Sequence, residues 1–274
     1  MTPLRLRDLA PLYDTVLVDQ YGTLHDGMRP YPGAQEGLSR LRQAGCRVVI
    51  LSNSGKRSAP NVQRLVRLGF DPGGWDLFLS SGEVAYELMR YGRLFAHQPR
   101  AALVIARTGD RSIVDDLDIA VTDDAGAADV VLIAGSDAPQ VGLDAYASRL
   151  KPAAARRVPA LRVNPDMTML TEYGQAFAPG RIARLYGDLG GEVVFIGKPY
   201  PEIYGAVRAR YPDAQRLVGV GDSVEHDVAG AKGAGLSAAF VRTGIAEHLA
   251  DAELEAAFAR HGARPDHVLD RFVW

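Results

Sequence analysis

Five polar side chains close short apolar runs, and their types suit one kind of chemistry. Asp19 follows Thr15-Val16-Leu17-Val18 and opens Asp19-Gln20-Tyr21-Gly22-Thr23; Ser52 follows the run from Arg47 to Leu51. Lys198 stands in Ile196-Gly197-Lys198-Pro199, and Asp222 and Asp227 follow the run Leu217 to Val220. An aspartate at a strand end can act as a covalent nucleophile, dividing one hard displacement into two easier ones. Two carboxylates five apart on a loop entering a helix can hold Mg²⁺ together with Asp19, because that cation takes hard oxygen ligands. Lysine and a small hydroxyl neutralise and hold a transferring phosphoryl group, so the set is complete for phosphoryl transfer. Alone, the Asp19 pentapeptide reads as a strand-ending aspartate at a turn; its company carries the functional reading. Neither a Walker loop nor a kinase loop is present.

The elements that must position these groups follow from periodicity. Apolar runs at Thr15–Val18, Arg47–Leu51 and Leu77–Leu79 alternate with helical patterns over Gly33–Ala44, Ala59–Leu68 and a stretch through Met89. Strands alternating with crossover helices imply an α/β fold with a parallel sheet. The pattern then restarts, with strands expected at Ala101–Ala106, Asp129–Ala134 and Ala160–Val163 and helices near Ser112–Leu117 and Leu143–Leu150. A strand at Val193–Ile196, a helix at Pro201–Arg210, a strand at Leu217–Val220, a helix at Val228–Ala234 and a strand at Ala238–Val241 resume the first pattern. Residues 1–96 and 191–274 are therefore expected to form a core interrupted by a smaller α/β domain over 97–190. Trp75, after Gly73-Gly74, is expected to pack a loop against the core, while Tyr173 and Phe177 are candidates either for the cleft or for core packing.

The 274 residues are 47% hydrophobic, enough for a sizeable core, and 31 Lys plus Arg against 33 Asp plus Glu give a formal charge of −2. No basic field for a nucleic acid backbone is expected. The single cysteine, Cys46, is expected to be a buried thiol and allows no internal disulfide. With neither a signal-type N-terminal stretch nor a run of about 18 apolar residues, no membrane partner and a cytoplasmic location are expected.

The ordered motifs Asp19 to Thr23, Ser52-Asn53, Gly197-Lys198-Pro199 and Gly221-Asp222-Ser223 through Asp227 resemble those of the haloacid dehalogenase (HAD) superfamily. Leu79-Ser80-Ser81-Gly82-Glu83 and Val163-Asn164-Pro165-Asp166 agree with its branch of sugar-phosphatase, nitrophenyl-phosphatase and pyridoxal-phosphatase-like proteins. The resemblance covers about Tyr13 to Thr243. It implies a Rossmann-like core with an inserted cap, and hydrolysis of a small phosphorylated substrate through a phospho-Asp19 intermediate. It further implies Mg²⁺ held by Asp19, the Tyr21 carbonyl and Asp222, with Asp227 on the metal or its waters. Ser52 and Asn53 would contact the phosphoryl oxygens, Lys198 would pair with Asp19 and phosphate, and Asn164 and Asp166 would reach substrate from the cap. A cap-mediated homodimer is a further expectation of the resemblance.

One position departs from the pattern. Phosphatases of the family carry Asp-x-Asp-Gly-Thr, whose second aspartate protonates the leaving group and then activates water; here it is Tyr21, and a phenol is a poor base at neutral pH. Asp-x-Tyr-Gly-Thr resembles the 2-haloacid dehalogenases, whose halide needs no acid, but the segment His25 to Tyr31 is too short for their helical cap. A dehalogenase-like hydrolase and a weakly active phosphate-binding protein stay open as alternatives. His25 and His226 are candidate replacements for the missing acid–base group.

Overall fold

The computed structural model describes residues 4–95, 97–171 and 174–274. In chain order its strands are β1 (Thr15–Val18), β2 (Arg47–Ser52), β3 (Leu77–Ser80), β4 (Ala101–Ile105), β5 (Ala120–Val121), β6 (Val130–Ile133), β7 (Ala160–Arg162), β8 (Thr168–Thr171), β9 (Gly174–Phe177), β10 (Val193–Phe195), β11 (Leu217–Gly221), β12 (Ser237–Val241) and β13 (His267–Leu269). The α-helices are α1 (Leu6–Leu9), α2 (Ala34–Gln43), α3 (Ser58–Arg67), α4 (Ser81–Arg90), α5 (Leu143–Ala155), α6 (Pro179–Asp188), α7 (Pro201–Arg210), α8 (Ala229–Gly233) and α9 (Asp251–His261). No helix among the described residues is long and apolar enough to cross a membrane.

The chain divides into two compact units, one of Met1–Ser52, Ala59–Leu79 and Lys198–Trp274, the other of Asn53–Ser58 and Ser80–Gly197. The first is built on a six-stranded sheet ordered β13-β12-β11-β1-β2-β3. Thr15 of β1 stands opposite Leu217 on one side and Arg47 on the other, both in parallel register. All four residues of β1 and all five of β11 are buried, which is why central parallel strands read as continuous apolar runs rather than alternating ones. The apolar stripe Ala34, Gly37, Leu38 and Leu41 of α2 is buried at helical spacing. Leu6, Leu9, Phe70, Phe78, Phe272 and Trp75 join the same core, and Cys46 is buried with it. Because β1, β2 and β11 are parallel, their C-terminal ends share one edge of the sheet, where open α/β sheets bind ligands.

The second unit has a five-stranded sheet, β10-β7-β6-β4-β5, with parallel pairing throughout. Tyr146 and Leu150 of α5 and Ile182 and Tyr186 of α6 cover a core that includes Leu103, Val131 and Ala160. Strands β8 and β9 pair separately as an antiparallel hairpin. This unit begins earlier in the chain than the restart of the strand pattern near residue 97. Arg57 and Glu83 form a bidentate ion pair that ties the loop 53–58 to α4. Gln98 caps the end of α4 by donating to the Met89 carbonyl at 2.9 Å. Gly55 approaches the Ala134 carbonyl so closely that no Cβ fits. The loop and α4 thus belong to the inserted unit by packing. Residues Ser112–Leu117, expected to be helical, form turns instead. Their bonds, Val114 N–H to Arg111 and Leu117 N–H to Val114, span only three residues, and Asp116 has φ 62°. β-branched and aspartate residues favour helix weakly, and Asp110 captures the Ser112 N–H in a local turn.

Candidate active site

Lys198 sits between two carboxylates. Its ammonium donates to Asp19 Oδ1 at 2.7 Å and to Asp227 Oδ1 at 2.6 Å, with the lysine and both aspartates buried. Asp19 leaves the end of β1, its N–H bonded to the Val220 carbonyl of β11 at 2.8 Å. Asp227 comes from a five-residue π-helical turn, Val224–Val228, in which Val228 N–H reaches back to the Ser223 carbonyl. Such widened turns recur at functional sites because they re-aim a side chain. Here the turn brings Asp227 back over the strand end, where its Oδ2 accepts from Ser223 N–H at 3.0 Å. Asp222 completes the acidic group; its Oδ2 accepts from Ile245 N–H at 2.8 Å. At the end of β2, Ser52 Oγ accepts from Gln20 Nε2 at 2.7 Å.

The turn after Asp19 is held by backbone bonds. The Gln20 carbonyl accepts from Leu24 and His25, Gly22 N–H donates to the His25 carbonyl, and Thr243 Oγ1 donates to the Gly22 carbonyl at 2.6 Å. No hydrogen bond among the described residues ends on the Tyr21 carbonyl. Gly22 has φ 91°, and a Cβ there would collide with the Asp222 carboxylate, so glycine is required for conformation and for space. The Tyr21 ring lies over Gly27, meets His25 edge to face at 5.5 Å and is 47% exposed.

His25 is fully buried and accepts the Gly27 N–H on Nδ1 at 2.9 Å. Burial, then the Arg64 cation, lowers its pKa from 6.5 to about 4, against a raising effect of Asp26. It is therefore neutral at pH 7 and serves the turn, which corrects its candidacy as the acid. Because the folded value lies below the unfolded one, stability is fully present above pH 6.5 and falls as pH drops toward 4, by about 3 kcal/mol in all. His25→Asn keeps an acceptor for Gly27 and should flatten urea-unfolding stability across that window. Parallel curves for the two proteins would rule out His25 as the titrating group.

Asp19, Asp222 and Asp227 each offer a carboxylate oxygen, all within 4.8 Å of one another. Burial lifts Asp19 to about 7 although Lys198 pulls it down, and Asp227 adds to the rise. Burial, then Asp19 and Asp227, pushes Asp222 well above the usual carboxylate range. Burial alone would lower Lys198, but Asp19 and Asp227 more than reverse this and keep it protonated. One ammonium against three crowded carboxylates leaves excess negative charge in a dry place. An all-oxygen donor set with that excess fits a hard divalent cation.

Residues 16–120 match the family described as haloacid dehalogenase-like hydrolase, and residues 195–273 match a second HAD-hydrolase-like family. The chain belongs to the HAD-like hydrolases. Among similar members, D-glycerol 3-phosphate phosphatase of Mycobacterium tuberculosis is 29% identical over 276 residues, 96% of this chain and 71% of that protein. The crystal structure of a HAD-like hydrolase from Brucella suis superposes with TM-score 0.83 at 27% identity, covering 99% of this chain and 100% of that one. Glycerol phosphate phosphatase of M. tuberculosis in complex with magnesium gives TM-score 0.76 at 26% identity, over 96% of this chain and 77% of that one.

In this HAD-like chain the fold brings together Asp19, Lys198, Asp222 and Asp227, with Ser52 at the end of the neighbouring strand. Asn53 lies in the inserted unit, its Oδ1 accepting from Ser81 Oγ at 3.4 Å. Asn164 and Asp166 lie in that unit too, where Asp166 N–H donates to Asn164 Oδ1 at 2.9 Å in an Asn-Pro-Asp turn. Phe177 packs edge to face on Tyr146 at 6.1 Å, as a core residue; Tyr173 lies outside the described residues. His226 Nε2 lies 4.0 Å from Glu225 Oε1. Sequence reasoning missed Gln20, Thr243 and the buried Tyr204, which lines the pocket with Asp19, Lys198 and Asp227. Thr243-Gly244 just past the end of β12 had a readable signal, a polar group at a parallel strand end; Gln20 and Tyr204 had none.

Proposed function

We propose that this chain is a Mg²⁺-dependent phosphatase of small phosphate monoesters, acting through phospho-Asp19. The observation that carries the proposal is the buried Lys198 ammonium shared by Asp19 and Asp227 beside Asp222. Asp19 attacks phosphorus as the ester P–O bond breaks; the leaving oxygen departs with the bonding pair and takes a proton from solvent. Water then attacks the phospho-Asp19 phosphorus as the P–O bond to Asp19 breaks; the bonding pair returns to the Asp19 carboxylate, the water's proton passes to solvent, and inorganic phosphate is released. Lys198 and Ser52 hold the phosphoryl oxygens, and Asp19, Asp222 and the Tyr21 carbonyl would hold Mg²⁺, with Asp227 on the metal or its waters. Bound there, the metal would neutralise charge that builds on the transferring group. The inserted unit acts as the cap that selects the organic part of the substrate, with Asn53, Asn164 and Asp166 as its candidate contacts. The named phosphatases among similar proteins favour phosphoryl transfer over carbon–halogen cleavage.

A panel of phosphate esters assayed with Mg²⁺ tests the proposal: inorganic phosphate should be released and EDTA should stop it. Absence of release from every ester, aryl phosphates included, would overturn it. Asp222→Asn removes an anionic ligand and should raise the Mg²⁺ concentration for half-maximal activity about tenfold or more. An unchanged Mg²⁺ titration would take Asp222 out of the metal site.

A further inference from the structure

Gln20 stands between the nucleophile and Tyr21, and its side chain is buried. Strands β1 and β2 run parallel with Val18 opposite Ile50, so two residues further on Gln20 comes opposite Ser52. There its Nε2 donates to Ser52 Oγ at 2.7 Å. The other half of the amide, Oε1, is buried with no hydrogen-bond partner. A buried unsatisfied acceptor costs free energy that an apolar side chain of the same shape would avoid. The amide is thus a poor choice for filling space and a good one for making that single bond.

The bond has a consequence for the hydroxyl. Serine carries one proton and two lone pairs. An N–H from Gln20 takes a lone pair, which directs the Ser52 proton to some acceptor other than Gln20. With substrate bound, the phosphoryl oxygen is an acceptor of the right charge, and a hydrogen bond to an anion is among the strong ones. We infer that Gln20 is a positioning residue that presents Ser52 as a hydrogen-bond donor to the transferring phosphoryl group. This rests on the phosphatase proposal and deepens it.

Two near-isosteric replacements separate the role from packing. Gln20→Met keeps the shape and removes the amide. Gln20→Glu replaces the donor N–H with a carboxyl oxygen, which accepts from the Ser52 hydroxyl and turns its proton inward. The measurement is the affinity of the Mg²⁺-loaded enzyme for inorganic phosphate, read as competitive inhibition of aryl phosphate hydrolysis and by calorimetry, with each variant made both alone and with Ser52→Ala. Gln20→Glu should bind phosphate more weakly than Gln20→Met, and this ratio should be about tenfold larger with Ser52 present than in the Ser52→Ala background. Whatever charge the carboxyl adds acts in both backgrounds, so only the hydroxyl can produce the difference. Equal ratios in the two backgrounds, or tighter phosphate binding by Gln20→Glu, would overturn the inference while leaving the phosphatase proposal intact. Wild-type protein that binds Mg²⁺ but neither binds phosphate nor hydrolyses an ester would overturn both. Gln20→Leu gives the same comparison where Gln20→Met does not fold.

Discussion

Asp19→Asn should lose at least about 10³-fold in kcat, the scale seen when a covalent nucleophile is removed while binding is kept. The amide preserves the shape of the side chain but cannot attack phosphorus. The fold should survive, because Lys198 remains paired with Asp227 at 2.6 Å and Asp222 keeps its bond from Ile245. Metal-free stability should even rise at alkaline pH. Asp19 has a folded pKa lifted from 3.8 to about 7, mainly by burial. A carboxyl raised in this way costs nothing below pH 3.8, and its penalty grows until pH passes about 7. At pH 8 without metal, Asp19→Asn should therefore have the higher Tm, and Mg²⁺ should raise the wild-type Tm more than that of the variant. A variant that keeps turnover within about tenfold of wild type, where tenfold is only 1.4 kcal/mol of barrier, would remove Asp19 from the chemistry.

Tyr21→Asp should speed alkyl phosphate hydrolysis by about 10²-fold or more, the usual worth of a positioned general acid and base. In the wild-type chain no carboxyl stands two residues after Asp19. The Tyr21 ring is turned onto Gly27, and burial leaves the His25 imidazole neutral at pH 7. Wild-type turnover should then depend steeply on leaving-group pKa, with aryl phosphates ahead of alkyl ones. A burst should precede a slow steady state as phospho-Asp19 waits for water. The substitution should help alkyl esters more than aryl esters and shorten the burst. Fast wild-type hydrolysis of alkyl phosphates, with no gain from Tyr21→Asp, would mean that another group already transfers the proton.

Much of the fold was legible because the strands that matter are buried on both faces. β1, β2 and β11 read as unbroken apolar runs, and each ends in a polar group that the parallel sheet collects at one edge. The weaker strands lacked that signal. In β9, Gly174-Gln175-Ala176-Phe177 is half exposed, and β13 is only three residues long, so neither shows a period to read. α9, rich in alanine and charge, buries only Leu254 and Phe258 among its residues, too narrow a stripe to stand out. At the candidate site, Asp19, Lys198 and the acidic pair were readable as residue types at strand ends. The partnership of Gln20 with Ser52 was not, because it arises from register between strands 32 residues apart. The exclusion of His25 as an acid was not readable either, since it depends on burial that the loop sequence does not encode.

The central pairing of the first sheet joins Thr15 to Leu217, and that separation governs the order in which the protein can come into being. Closing so long a loop is slow and carries its entropic cost before any contact rewards it. As the chain leaves the ribosome, the continuous stretch Ser80–Gly197 emerges with most of its own sheet and core already present. β1 and β2 have by then waited with one flank of β1 unpaired, an open template for wrong partners. Lys198, Asp222 and Asp227 arrive last, so the acidic group and its ammonium assemble in the same event that covers that flank. A nascent or truncated chain ending before Lys198 carries Asp19 without its partners, and the acidic group therefore forms together with closure of the sheet.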